Sequence, residues 1–525
     1  VSEAGIVFVE SEGVRWEVTE SRRGLFDKML AGRVEEIFAS KTELLKNNSA
    51  RAIAIVRDGG DALVVKKFHS RGPIANIRRR VGNSQARQEW SNLRKARAAG
   101  VRVPEPVAMG AENRCEYLAT VEVEGAQPVI EVLRSGGEAD AKLIAGLAEL
   151  CAEMHDAGIV HRDLHLGNFL ISGSSGDLVL IDLHRAKFVE RVERRDMARD
   201  LGQLMYSLSL VVPKEICAQL IEEYVRIRCI EAPNFVETAW IEARMWGRRH
   251  QYRRTRRCLK NSSAFIVEKS KSRRVYRRRN FECDIDAILD AHGRAMASGE
   301  GVLKDGRKSR LSVVDGEFVV KEHDIGIRGT QEVALRGSRL KREWVNANGL
   351  IVRGLRVAEP LAYVEKGLPH ARRTWLISRF LKDARPLDVF LREKFDRESV
   401  SHGDKARIIN ALATEVARLH DADILHKDMK ANNIMVREDA GGVEFFFLDL
   451  DRVRFGTDLG SADIVRTLAA LNAAVPNFIT LSDRVLFFRT YRGGGKIDRR
   501  DRKLISDIVI ESIKRNHFWR PKWQR

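Results

Sequence analysis

The chain of 525 residues lacks the features that mark several large protein classes. Its six cysteines, Cys115, Cys151, Cys217, Cys229, Cys258 and Cys283, form no CxxC pair and no dense framework. That excludes a disulfide scaffold and a cysteine-built metal site, and points to reduced thiols in a cytoplasmic compartment. The histidines show no metal-ligand spacing. No apolar run reaches the roughly 18 residues of a spanning helix. The N-terminus has no basic start followed by an apolar core, so a soluble chain is expected.

Charge of one sign is abundant. A net charge of +19 and a pI near 9.8 imply anionic partners, whether nucleic acid, an acidic membrane surface or a phosphorylated glycolipid. The length argues against a single core and for two units, each of about 200 residues and large enough to stand alone.

An internal repeat says the same. HRDLHLGNFLI at 161–171 is followed by LVLIDLHRAKF ending at Phe188, and HKDMKANNIMV at 426–436 by FFFLDLDRVRF ending at Phe455. Each copy places an aspartate (Asp163, Asp428), an asparagine five residues later (Asn168, Asn433) and a further aspartate (Asp182, Asp449). Phosphoryl transfer needs an acceptor for the proton of the attacking hydroxyl and oxygen ligands for a divalent ion, and this set supplies both. Apolar residues at helical spacing precede each loop, Leu143 to Met154 and Ile408 to Leu419. Short β-type runs, Leu178 to Ile181 and Phe445 to Leu448, precede each second aspartate.

An accidental Asp and Asn in a polar turn would explain one such loop, since both residues are ordinary turn formers. It does not explain two loops whose upstream partners also repeat. Glu89-Trp90 matches Glu343-Trp344, and Lys66 in DALVVKKF matches Lys321 in EFVVKEH. Lysine to glutamate spans 23 residues in one copy and 22 in the other, and glutamate to Pro106 or Pro360 spans 17 in both.

The order strand Lys, helix Glu, HxD loop with Asn, then Asp at a strand end resembles the protein-kinase-like fold. IDLHRAKF after HRD resembles the lipopolysaccharide core heptose kinases, and LDLDRVRF after HKD resembles their relatives that phosphorylate Kdo. The resemblance covers nearly the whole chain. It implies an α+β architecture of two tandem bilobal domains, each with a small antiparallel-sheet N-lobe and a mainly helical C-lobe. It also implies ATP and Mg2+ as cofactors. Asp163 and Asp428 would be catalytic, Lys66, Glu89, Lys321 and Glu343 nucleotide-binding, and Asn168, Asp182, Asn433 and Asp449 metal-binding.

Departures from the protein-kinase pattern narrow the acceptor. No GxGxxG precedes either lysine, so LKNNSAR at 45–51 and LKDGRKS at 303–309 become the candidate phosphate-covering turns. Nothing resembling DFG or APE follows Asp182 or Asp449. Only 18 residues separate Asp182 from Asp200, and 14 separate Asp449 from Asp463, too few for a peptide-docking activation segment. A small or surface-bound acceptor fits better, and the resemblance implies lipopolysaccharide core glycolipid. The enzyme would meet it at the inner face of the cytoplasmic membrane, held there peripherally by charge. Lys430 stands where copy one has His165, and would place a cation near the transferring phosphate. Arg185 and Arg452 are candidates for gripping an anionic acceptor.

Two rival readings are an aminoglycoside- or choline-type phosphotransferase, and one copy acting as a pseudokinase scaffold that binds lipid, partner or nucleic acid. A cationic drug as substrate is at odds with so basic a chain. The segment 246–279 reads either as a solvated connector or as a docking strip for anionic lipid. Tyr252, Phe265 and Tyr276 would also permit stacking on single-stranded nucleic acid, the lesser option because no nucleic-acid-binding motif accompanies them. His161 and His426 are read as structural hydrogen-bonding residues, Trp90 and Trp344 as core. The expected division is an N-terminal extension 1–40, a first kinase-like domain 41–245, a basic linker 246–300 and a second kinase-like domain 301–525.

Overall fold

In the computed structural model the described residues are 5–39, 44–47, 51–69, 84–112, 115–136, 140–173, 175–307, 309–325, 338–367, 373–397, 401–439, 442–456, 458–476 and 478–515. Residues 48–50 and 308, in the two candidate phosphate-covering turns, lie outside them, as does the basic tail 516–525. The chain divides into two units, Val1–Gly247 and Arg248–Arg525.

Alternation along Asp61–His69 buries Leu63 and Val65 on one face of a strand and leaves Val64 and Lys66 on the other. Six further strands of the first unit join it in one antiparallel sheet, in the order Ile6–Ser11, Val14–Thr19, Pro106–Ala111, Cys115–Val121, Asp61–His69, Arg51–Asp58, Leu44–Asn47. The second unit repeats that order with Phe265–Lys269, Arg273–Arg278, Pro360–Lys366, Arg373–Arg379, Phe318–Asp324, Ser309–Val314 and Val302–Gly306. In each sheet the lysine-bearing strand is third from one edge, with a paired strand on either side. Its backbone is therefore fixed by hydrogen bonds along both edges.

The glutamate-bearing helix packs on each sheet, Gln85–Ala98 in the first unit and Arg339–Val352 in the second. Both start at a serine whose Oγ accepts an orphan backbone N–H, Ser84 from Arg87 and Ser338 from Lys341. Both bury their tryptophan, Trp90 and Trp344. Beyond the sheet each unit is mainly helical, with a three-stranded and a two-stranded sheet between the helices. The helix before the loop is Ala141–Asp156 in the first unit and His402–Asp421 in the second. The helices bury continuous apolar clusters that run from Phe68 to Ala243 in one unit and from Ala347 to Ile508 in the other. Two tandem kinase-like lobes are thus the architecture.

The expected domain limits do not match the structure. Residues 1–40 are no appendage: their hairpin Ile6–Thr19 pairs with Pro106–Ala111, and Trp16 and Phe26 lie in the first sheet's core. Residues 246–300 are no linker: their hairpin Phe265–Arg278 pairs with Pro360–Lys366, and helix Ile285–Ser298 lies on the second sheet. The two mismatches are the same module in each copy.

The basic stretch is also less free than its composition implies. Arg248 pairs with Asp423 at 3.0 Å and Asp458 at 2.6 Å, Arg273 with Asp286 at 2.7 Å, and Arg277 with Glu268 at 2.9 Å. Phe265 and Tyr276 are buried, which removes them as a stacking platform. Arg249, Arg253, Arg254, Arg256 and Lys260 stay exposed. No helix among the described residues is long and apolar enough to cross a membrane.

Each unit ties the helix before its loop to a later helix through a buried histidine. His155 Nδ1 lies 2.7 Å from Tyr224 Oη, and His420 Nδ1 lies 2.8 Å from Tyr491 Oη, with both ring pairs edge-on. Burial pushes His420 down to about 4. Unfolding returns it to near 6.5, so its contribution is complete above about pH 6.5 and is lost as pH falls toward 4, on the order of 3 kcal/mol in all. His420→Gln should flatten the acid limb of urea-melt stability against pH. An unchanged limb would contradict the assignment.

Candidate active site

The site in each unit is assembled from the lysine strand, the packed helix, the loop and the strand end after it. In the first unit Lys66 Nζ donates to Glu89 Oε1. Glu89 is fully buried, where an unpaired carboxylate would be costly, so the lysine is its necessary counter-charge. In the second unit Lys321 Nζ lies 3.0 Å and 2.8 Å from the two oxygens of Glu343, and 3.1 Å from Asp449 Oδ1. Burial works to lower the Lys321 pKa, but Glu343 and Asp449 outweigh it and hold the ammonium above its ordinary value.

The loop and the second aspartate are joined through the backbone. Asn168 O accepts from Ile181 N at 2.9 Å, and Asn433 O accepts from Leu448 N at 2.8 Å. Each asparagine is thereby set beside the residue that precedes the second aspartate. Its side chain turns back into the loop: Asn168 Nδ2 donates to Asp163 O at 3.0 Å, and Asn433 Nδ2 to Asp428 O at 2.8 Å. The carboxamide oxygen is then the atom left for a ligand. Asp182 and Asp449 adopt left-handed backbone conformations, φ 64° and 51°, which residues other than glycine seldom adopt and which recur at functional turns.

Both second aspartates are held below their ordinary carboxylate values. Burial pushes Asp182 up, but the hydrogen bond from His184 at 2.5 Å and the charges of Lys66, His184 and Arg51 hold it well below the usual carboxylate range. Burial likewise opposes Lys321 and Arg339 at Asp449, and the cations win. An asparagine oxygen and an ionised carboxylate together make an all-oxygen donor set, which suits magnesium. Glu89, Asp182 and His184 also bring ligand atoms within 4.8 Å of one another.

The candidate bases are more open. Asp163 has Arg185 Nη1 at 3.3 Å, and Asp428 has Lys430 Nζ at 2.8 Å. Each unit thus sets a cation beside its base, drawn from a different part of the site. His161 and His426 are buried, and burial pushes both imidazoles down. Their Nε2–H groups face Ile181 O at 3.4 Å and Leu448 O at 3.0 Å, a bracing role.

Several residues that hold the site were not singled out in the sequence. Asn92 Nδ2 donates to Leu183 O at 2.8 Å and Ala186 O at 3.0 Å. Asn346 Nδ2 repeats this with Leu450 O at 2.7 Å and Val453 O at 3.1 Å. Both brace the turn after the second aspartate, and the repeated Glu-Trp-x-Asn of the two copies was the signal for them. Asp200 stands outside the repeated motifs. Its buried carboxylate accepts from His161 N at 2.7 Å and Arg162 N at 2.8 Å, and so holds Arg162 at φ 64°. Its counterpart by helix position is Thr467 rather than Asp463: RDMARDLGQL lies over ADIVRTLAAL. Thr467 Oγ1 donates to Asp463 O within its own helix.

The model of the lipopolysaccharide kinase (Kdo/WaaP) family matches residues 36–224 and 327–491, roughly two thirds of the chain and part of each unit. Ten of the eleven residues Lys66, Glu89, Asp163, Asn168, Asp182, Asp200, Lys321, Glu343, Asp428, Asn433 and Asp449 fall inside the match, and Lys321 lies just before its second segment. A RIO-type serine/threonine-protein kinase Rio1 of Haloferax volcanii is 31% identical over 137 residues, which are 24% of this chain and 42% of that protein. The chain therefore spans less than half of that relative. A lipopolysaccharide core heptose(I) kinase WaaP of Pseudomonas aeruginosa is 27% identical over 190 residues, 32% of this chain and 71% of that one. A solved structure, WaaP in complex with acyl carrier protein, has a TM-score of 0.33 at 21% identity, covering 46% of this chain and 98% of that chain.

Removing Asp200 leaves two backbone donors without their partner, the buried one of His161 among them, whereas removing Thr467 loses only a helix-internal hydroxyl bond. Asp200→Ala is therefore expected to cost about 2–4 kcal/mol in chemical denaturation and Thr467→Ala less than about 1 kcal/mol. Equal losses would show that Asp200 does not anchor the loop.

Proposed function

Because this chain belongs to the lipopolysaccharide kinase (Kdo/WaaP) family, we propose that it transfers the terminal phosphoryl group of ATP to a sugar hydroxyl of the lipopolysaccharide inner core, on heptose or Kdo. The observation that carries this reading is the twofold recurrence of one constellation. Lysine paired to a helix glutamate, loop aspartate, asparagine and left-handed aspartate recur in both units.

Lys66 and Lys321 would grip the nucleotide phosphates, each steadied by its glutamate. Asn168 with Asp182, and Asn433 with Asp449, would hold magnesium, which when bound neutralises charge on the transferring phosphate. Asp163 and Asp428 take the proton of the attacking hydroxyl as the new O–P bond forms and the bond to ADP breaks. Arg185 and Lys430, each beside its aspartate, are placed to meet an acceptor that carries phosphate or carboxylate.

Two sites on one chain suit an acceptor modified at two positions, and His165 against Lys430 is one difference by which each site would choose its own. The exposed Arg249, Arg253, Arg254, Arg256 and Lys260 suit peripheral contact with the anionic inner face of the cytoplasmic membrane, each worth on the order of 1 kcal/mol.

Purified protein with ATP, magnesium and dephosphorylated core glycolipid should yield phosphorylated glycolipid by mass spectrometry. Asp163→Ala and Asp428→Ala should each lower a distinct product by at least about a hundredfold. Full activity in the double variant would end this reading.

A further inference from the structure

The two units differ in how the second aspartate is held. In the second unit Arg339 Nη2 lies 3.0 Å from Asp449 Oδ1 and 3.1 Å from Oδ2, so one guanidinium nitrogen spans both oxygens. Arg339 Nε lies 2.9 Å from Asp451 Oδ2, and the Asp451 side chain is only 6% exposed. Lys321 completes the ring at 3.1 Å from Asp449 Oδ1. Arg339 is the first residue of its helix and is rooted by the Ser338 cap. Two turns on, Asn346 of the same helix grips Leu450 O and Val453 O, on either side of Asp451. One rigid element therefore holds both the guanidinium and the turn it is anchored to.

Among its described residues the first unit shows a different arrangement. Gln85 opens the corresponding helix, so no cation projects from that position. His184 takes the place of Asp451 and donates to Asp182 instead of recruiting an arginine. Among the described residues a guanidinium approaches Asp182 from a strand instead, Arg51 at 3.4 Å.

We propose that Arg339 is a cation clamp that must leave Asp449 before the second unit can take a divalent ion, so that this unit binds the ion more weakly than the first and Arg339 sets the difference. The proposal rests on the kinase-type reading of the site, though not on the identity of the acceptor. A divalent ion needs the lone pairs of Asp449, and the guanidinium covers both oxygens. Moving it aside also strands the buried charge of Asp451, which opposes release. Replacing Arg339 by a neutral residue removes the competitor and leaves two neighbouring carboxylates, Asp449 and Asp451, for the incoming ion. The variant should then bind better than the natural chain, a gain that misfolding does not produce.

The test uses the full chain with Asp182→Asn, which silences the first unit, and Mn2+ as the probe, read from loss of the free-ion electron paramagnetic resonance signal with a non-hydrolysable ATP analogue present. Adding Arg339→Gln should tighten Mn2+ binding by about tenfold or more. Adding Arg339→Lys, which keeps the charge but loses the planar fork, should tighten it by a smaller factor. Unchanged or weaker binding in both variants would overturn the clamp. If Asp182→Asn with Asp449→Asn binds Mn2+ as tightly as the natural chain, the kinase-type reading of the metal sites fails instead.

Discussion

A buried glutamate needs a cation, and in both units a lysine on a neighbouring strand supplies it. That pair joins sheet to helix, and much of the site follows from where the helix then lies. Three residues after the glutamate, Asn92 or Asn346 reaches the turn beyond the second aspartate and holds it by two carbonyls. The turn's position fixes the left-handed aspartate, and the backbone bond from Ile181 or Leu448 fixes the asparagine beside it. Lysine, glutamate, asparagine and aspartate are therefore parts of one connected frame, which explains why they recur together.

Where the copies differ, the difference is in how charge is satisfied. The first unit anchors its loop on a buried carboxylate, Asp200, and lets a histidine orient Asp182. The second has Thr467 at the anchor position and surrounds Asp449 with Lys321 and Arg339. Both arrangements keep the second aspartate ionised, but they leave its oxygens differently available. The same contrast runs through the loop cations, Arg185 in one unit and Lys430 in the other.

Much of this was legible in the sequence because it rests on residue types repeated at matched spacing. The lysine strand, the glutamate helix and the two loops all follow from period-two and helical patterning around shared motifs. The edge hairpins were not legible. Ile6–Thr19 and Phe265–Arg278 join their sheets through backbone pairing, which leaves little side-chain signature, and the two hairpins share no motif. The arginines of 246–279 looked solvated because their partners are remote in sequence, as with Arg248 and Asp423. Arg339 escaped notice for the opposite reason: comparing the copies finds what they share, and Gln85 at its counterpart hides it.

We propose that each unit builds its own nucleotide site. Equilibrium titration of the full chain with a non-hydrolysable ATP analogue at saturating magnesium should give two bound per chain, falling to one in Lys66→Met and to one in Lys321→Met. One nucleotide per natural chain, or two retained in either variant, would contradict it.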